Sequence, residues 1–137
     1  MRSKYRVLEH TADVGLLARG DTLAEAFTNA GLGMFAIMVD LRTVRPSSVI
    51  YVDIVEETHE SLLFEWLNRL LYYFDTQNIL FRKLEIRTFE NYHITAVCYG
   101  EVYNSQRHAI KTGIKSATFH RIMVDAKTNQ VRVFLDV

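Results

Sequence analysis

One cysteine and one proline stand among 137 residues, and neither sign of charge prevails. With Cys98 alone, no internal disulfide and no cysteine-based metal site can form, which suits a reducing cytoplasm. Sixteen Lys and Arg residues balance sixteen Asp and Glu residues. No bulk field therefore draws the chain to nucleic acid or to a membrane surface. No apolar run approaches the roughly 18 residues a bilayer span needs. The start, Met1-Arg2-Ser3-Lys4-Tyr5, passes straight into patterned sequence and leaves no room for a signal peptide. These absences predict a soluble, cytoplasmic protein with no membrane partner. Catalytic signatures are missing too: no Gly-rich phosphate loop, no serine nucleophile elbow, no paired-cysteine motif and no HExxH. Cys98, between Val97 and Tyr99 in mid-strand, reads as core packing rather than as a nucleophile.

What is present is the composition of an ordinary globular protein, 49% hydrophobic and 23% charged. No Gly/Ser/Pro-rich linker or charge block divides the chain, so residues 1–137 read as a single domain. Residues 4–8 and 13–19 have strand character. Asp21-Thr22-Leu23-Ala24-Glu25 then resembles a capping box with Thr22 at the N-cap. Behind it Leu23, Ala26, Phe27, Ala30, Met34, Ile37 and Met38 recur at helical spacing to about Val39. Gly31 and Gly33 each weaken that helix by roughly 1 kcal/mol relative to alanine, and they point to close packing against a sheet. Val49 to Val55 is a β-branched strand. A second helix is predicted from about Thr58 to Phe74, with Leu63, Trp66, Leu67, Leu70, Leu71 and Phe74 in its stripe and Glu65, Asn68 and Arg69 off it. The period then changes to two: 79–89 and 93–102 form a hairpin, 103–112 a polar loop, and about 113–125 and 130–136 two more strands. The class is α+β, with two helices packed on a mostly antiparallel sheet.

Chemistry could sit in three places. Glu9-His10-Thr11-Ala12-Asp13-Val14-Gly15 is more polar than a turn needs. Asp13 is either a metal ligand, with His10 or Thr11 supporting the loop, or the acceptor of an Asx turn. The end of the chain, Leu135-Asp136-Val137, offers a carboxylate beside an α-carboxylate. Val131, Val133 and Leu135 share one strand face and leave Asp136 on the other, so Asp136 is either a solvated acid or part of an all-oxygen site for a hard cation. Third, Arg107, His108, Lys111, Lys115 and His120 form a basic stretch. Lys115, Ala117, Phe119 and Arg121 alternate as on one strand face. The stretch suits phosphate or an acidic partner surface, and equally an edge strand guarded by charge.

The residues Glu9 to Gly15, Thr22 to Phe27, Met38-Val39-Asp40, Leu62 to Thr76, Gly100-Glu101, Arg107-His108, Lys111-Thr112, Lys115 to Thr118 and Leu135-Asp136-Val137 together resemble the archease family, in order and along essentially the whole chain. The resemblance implies strand-helix-strand-strand modules and an accessory protein rather than an enzyme. Its implied partner is the RtcB-type tRNA-splicing RNA ligase, whose guanylylation and multiple turnover archeases promote in tRNA processing and RNA repair; tRNA is met indirectly, through the ligase. The implied metal site is Asp13, Asp136 and the terminal carboxylate of Val137, holding a divalent cation, Ca²⁺ as in relatives, with Mn²⁺ or Mg²⁺ as alternatives. A second implied role is a chaperone that modulates the specificity of a tRNA cytosine methyltransferase. A metal-dependent phosphohydrolase on the same acids is the enzymatic alternative. Phe119 stands where many relatives have tyrosine, and Ala109-Ile110 replaces a more polar pair. Asp40 matches a common acidic position and either reaches the ion or caps the exit of the first helix.

Overall fold

The computed structural model describes residues 3–8 and 13–137. In chain order the elements are β1 (Tyr5–Leu8), β2 (Val14–Arg19), α1 (Leu23–Met38), a 3-10 turn (Leu41–Thr43), β3 (Ser48–Val55), α2 (His59–Gln77), β4 (Ile79–Glu90), β5 (His93–Val102), β6 (Ser116–Asp125) and β7 (Gln130–Asp136). The α+β class with two helices and antiparallel strands holds. The strands divide, however, into two sheets, ordered β1-β2-β7-β6 and β3-β5-β4. Which distant strands pair is decided by tertiary packing, and local periodicity carries no trace of it.

The connections show a nested duplication. β3-α2-β4-β5 forms one strand-helix-strand-strand module, and its sheet places the first strand beside the third and the third beside the second. β2-α1-β6-β7 has the same order, β2-β7-β6, with the first module inserted between α1 and β6. Even the helix entries match, since Thr22 follows the end of β2, and Thr58 the end of β3, by the same spacing. Thr22 Oγ1 accepts from Glu25 N–H at 3.1 Å, and Glu25 reaches back to Asp21 N–H, one residue beyond the expected box. Thr58 and Ser61 close a full capping box. α2 runs past Phe74 because Asp75, Thr76 and Gln77 do not break it. It stops at Asn78, which takes the left-handed conformation (φ 58°) that asparagine tolerates at a helix end.

α1 is pressed from both sides, and its glycines mark the two contacts. A Cβ on Gly31 would lie 2.6 Å from Leu84 Cδ1 of β4, and one on Gly33 would lie 2.8 Å from Tyr5 Cγ of β1. The helix propensity given up at these positions lets both sheets approach one helix. Trp66 of α2 is fully buried and donates its indole N–H to Phe27 O of α1 at 2.9 Å, which ties the two modules together at their centre. Cys98 is also fully buried, and burial pushes its thiol up to about 12, as expected of a packing residue.

Candidate metal centre and the loop beside it

β2 and β7 pair antiparallel from Arg19↔Gln130 to Val14↔Leu135. Carried one residue further, this register brings Asp13 opposite Asp136, where side chains project to the same face. Val131, Val133 and Leu135 are buried on the helix side, as their alternation predicts, which leaves Asp136 on the outer face. Gly15 sits between the two acids and the core for a steric reason. Phe134, its register partner, lays its ring over the position, and a Cβ there would come within 2.9 Å of both Leu8 Cβ and Phe134 Cε1. The other flank of Asp136 is fixed by β6: it pairs with Ser116, and its carbonyl accepts Lys115 N–H at 2.7 Å.

Two carboxylates side by side would suit a hard cation, which takes oxygen ligands. Among the described residues, no three His, Cys, Asp or Glu side chains approach closely enough to hold an ion. To hold an ion, Asp13 and Asp136 would need a further oxygen donor, the part that the resemblance implies for the Val137 α-carboxylate. Glu9, His10, Thr11 and Ala12 lie outside the described residues.

Asp40 is occupied. Its Oδ1 caps the 3-10 turn by accepting Arg42 N–H at 3.0 Å, and the Arg42 guanidinium pairs with it at 2.8 Å. The Arg42 side chain, then the Arg42 backbone, and finally the charge of Lys111 hold its carboxyl down at about 2. Lys111 is placed there by its backbone, which donates to Met38 O at the end of α1 at 2.7 Å. Residues 103–115 therefore form a strap from the end of β5, past the end of α1, to Asp136. The expected loop is three residues longer than read, since β6 begins only at Ser116.

The basic stretch divides. Arg107 and His108 face inward, onto Glu101. The Arg107 guanidinium forms an ion pair with both Glu101 oxygens, His108 Nε2 lies 2.9 Å from Oε1, and Arg45 N–H donates to the same oxygen at 3.0 Å. Arg107, first, with Arg45 N–H and His108 after it, holds the Glu101 carboxyl down at about 2. His108 is 1% exposed. Its Nδ1 accepts Asn104 N–H at 2.9 Å, so Nε2 carries the proton in the neutral ring and donates toward Glu101 and Thr43 O. The sequence suits a partner surface and a charge-guarded edge strand equally; the fold instead places Arg107 and His108 at the root of the strap. Lys111 and Lys115 remain exposed.

β6 also departs from simple alternation. Its register with β7 shifts between Thr118 and Met123, so residues 119–122 bulge and Arg121 takes φ 59°. Ala117 is buried, while Phe119 and Arg121 are exposed, and the Arg121 guanidinium lies 5.1 Å from the Phe134 ring centre. Asn68 lies off the buried stripe of α2, as its spacing predicts, and reaches β6, accepting Ala117 N–H at 2.9 Å and donating to Ala117 O at 3.0 Å.

The site is thus a carboxylate pair at one end of a sheet, beside a lysine-bearing strap, in a small two-module α+β protein. Residues 5–137 match the Archease protein family (MTH1598/TM1083). Protein archease of Methanosarcina acetivorans is 39% identical over 140 residues, spanning 98% of this chain and 96% of that protein. The archease-like protein of Drosophila melanogaster is 36% identical over 141 residues, spanning 98% and 90%. The solution structure of Methanobacterium thermoautotrophicum protein 1598 shares the fold with a TM-score of 0.78 at 34% identity, over 98% of this chain and 99% of that one. The chain belongs to the archease family. No helix among the described residues is long and apolar enough to cross a membrane.

Proposed function

We propose that this protein is an accessory activator of an RtcB-type tRNA-splicing RNA ligase, working through a divalent-cation site made of Asp13, Asp136 and the Val137 α-carboxylate. The observation that supports the reading is the β2–β7 register, which ends at Val14↔Leu135 and, extended by one residue, would set Asp13 opposite Asp136. The partner is the one that the resemblance to archeases implies. A bound cation would supply neutralising charge for nucleotide phosphates during ligase guanylylation. The residues of this chain do the positioning: Gly15 and Phe134 close the sheet under the acids, Lys115 N–H fixes Asp136, and Lys111 and Lys115 face a phosphate or an acidic ligase surface. The role is that of a helper, with the chemistry left to the ligase, and its place is the cytoplasm.

RNA ligation with the cognate ligase at limiting concentration tests the reading. The protein should raise turnover, and Asp13→Ala or Asp136→Ala should remove the effect while circular dichroism stays unchanged. Residues appended after Val137 should lower both cation affinity and activation. Equal turnover with and without the protein refutes the ligase reading, and an appended tail without effect removes Val137 from the ligand set.

A further inference from the structure

The outer faces of the two sheets carry cations in different ways. On β4, Lys83 and Arg87 flank Glu85 at 3.8 and 3.6 Å, and His93 Nε2 of β5 lies 2.7 Å from Asp53 Oδ1 of β3. That surface neutralises itself. The four-stranded sheet does not. Leu16 and Ala18 of β2 are buried, with Leu16 against Gly33 of α1, so Leu17 and Arg19 stand on the opposite face. Register carries that face across the sheet. Arg6 pairs with Leu17, Leu17 with Arg132 and Arg132 with Met123, which makes one row. In the next row Arg19 N–H donates to Lys4 O at 3.0 Å, Arg19 pairs with Gln130, and Gln130 with Asp125. Arg121 joins from the β6 bulge, its carbonyl accepting the Arg132 side chain and its guanidinium lying over the Phe134 ring.

Lys4, Arg6, Arg19, Arg121 and Arg132 thus share one face, on strands about 4.8 Å apart and in rows about 7 Å apart. Among the described residues, none of these cations forms an ion pair. Asp125, the carboxylate in the two rows, stands on the far strand and accepts Lys127 N–H at 2.9 Å. The chain is neutral overall, so this field is a local concentration of charge. A cleft of about 130 Å³ opens among Ser3, Tyr5, Arg6, Leu17 and Arg19, with two guanidinium groups at its walls. Arginine dominates the face, and its planar fork grips phosphate oxygens two at a time. Leu17 and Met123 are half-buried, and no large apolar side chain stands exposed in either row. A protein partner would need an apolar centre to its interface, and a bilayer surface an apolar face to insert. Neither is offered. No exposed aromatic ring waits to stack on bases either, so the contacts this face can make are to a phosphate backbone and are blind to sequence.

We propose that the outer face of β1, β2, β7 and β6 binds the phosphate backbone of RNA directly, through Lys4, Arg6, Arg19, Arg121 and Arg132. This gives the chain a grip of its own on the polymer, and the choice of RNA among polyphosphates rests on the ligase reading. The test needs no ligase. Fluorescence anisotropy of a labelled, unstructured RNA of mixed sequence should show binding by the full chain at low salt. Affinity should fall about 100-fold between roughly 50 and 200 mM salt, as five contacts to a single strand imply, and Arg6→Ala should lower the log–log slope by about 0.7. Arg6→Glu with Arg19→Glu should abolish binding with unchanged circular dichroism. Lys4→Glu with Arg6→Glu, both at exposed positions, should abolish it as well and stands in should the first pair disturb folding. Lys83→Glu with Arg87→Glu, the same change of charge on the other sheet, should leave binding intact. No binding at low salt overturns the proposal, as does binding that survives both β1–β2 pairs or is lost equally from the β4 pair. Preference for phosphatidylserine vesicles or for polyglutamate over RNA gives the face to a membrane or an acidic protein, and overturns it too. Ligase activation without RNA binding removes this surface and leaves the ligase reading standing; RNA binding without activation does the reverse.

Discussion

The two nested modules share one connection, one strand order and one spacing from strand to helix cap, yet they differ at the end of their first strand. Aligning Thr22 with Thr58 sets Asp13 of the outer module on Val49 of the inner one. Asp136, which faces Asp13, falls on Tyr99, which pairs with Val49. Two carboxylates in one module are thus an aliphatic and an aromatic residue in the other. Both frames would hold a pair of side chains at the same point, and only the outer frame puts two carboxylates there. The frame offers a position, and residue identity decides which chemistry that position can carry.

The comparison assumes that both modules share one core, and Trp66→Ala is the hardest blow to it. It removes the largest fully buried side chain and the indole bond to Phe27 O. A loss of about 3–5 kcal/mol is expected, with calorimetry still showing one transition for both modules. Two separate transitions would show the modules to be independent. Glu101→Ala comes next. It strands Arg107, His108 and Arg45 N–H at the root of the strap, at a cost of about 3 kcal/mol, whereas Asp40→Ala in the exposed Arg42 pair should leave the melting temperature nearly unchanged. The same carboxylate gives a pH signature. Its folded value of about 2 lies below the ordinary 4.5, so its contribution is complete above that ordinary value and is lost as pH falls from there through about 2. Glu101→Gln should flatten the loss of stability over that acid window in denaturant titrations.

If the proposed site is right, a divalent cation should separate the two modules directly. At about 100 times its dissociation constant it should add ~2.7 kcal/mol to the wild-type protein. Asp13→Asn should cancel the gain in a thermal-shift series, and Val49→Asn, at the counterpart position, should leave it intact. Asn68→Ala bares the N–H and carbonyl of Ala117 at the β6 edge and should cost about 2 kcal/mol by urea unfolding. Smallest are the caps: Thr22→Ala and Thr58→Ala should each cost about 1 kcal/mol. A large inequality between them would break the equivalence of the two helix entries.

Much of this was legible residue by residue. The Thr22 cap, the stripe around Trp66, the alternation at Val131, Val133 and Leu135, and the tight contacts at Gly31 and Gly33 all rest on neighbours within a few positions, where helical and strand periods act. The inward turn of Arg107 and His108 was not legible. It depends on Glu101 at the end of a strand and on the backbone of Arg45, which lies 56 residues away. The reach of Asn68 to β6 escaped for the same reason, since its partner Ala117 is 49 residues distant. The bulge at 119–122 was hidden because Phe119, His120 and Arg121 suit an alternating strand as well as a distorted one.

By itself, then, the sequence determined the α+β class, both helices, the core faces of the strands and the pair of acidic motifs at its two ends, because burial and backbone geometry print their periods on local residue order. Tertiary structure alone decided that the strands form two sheets, that one module nests within the other, and that Arg107 and His108 serve the strap. These outcomes depend on which distant segments meet. Long-range pairing is settled by the summed fit of many side chains, and no single window of sequence contains that sum.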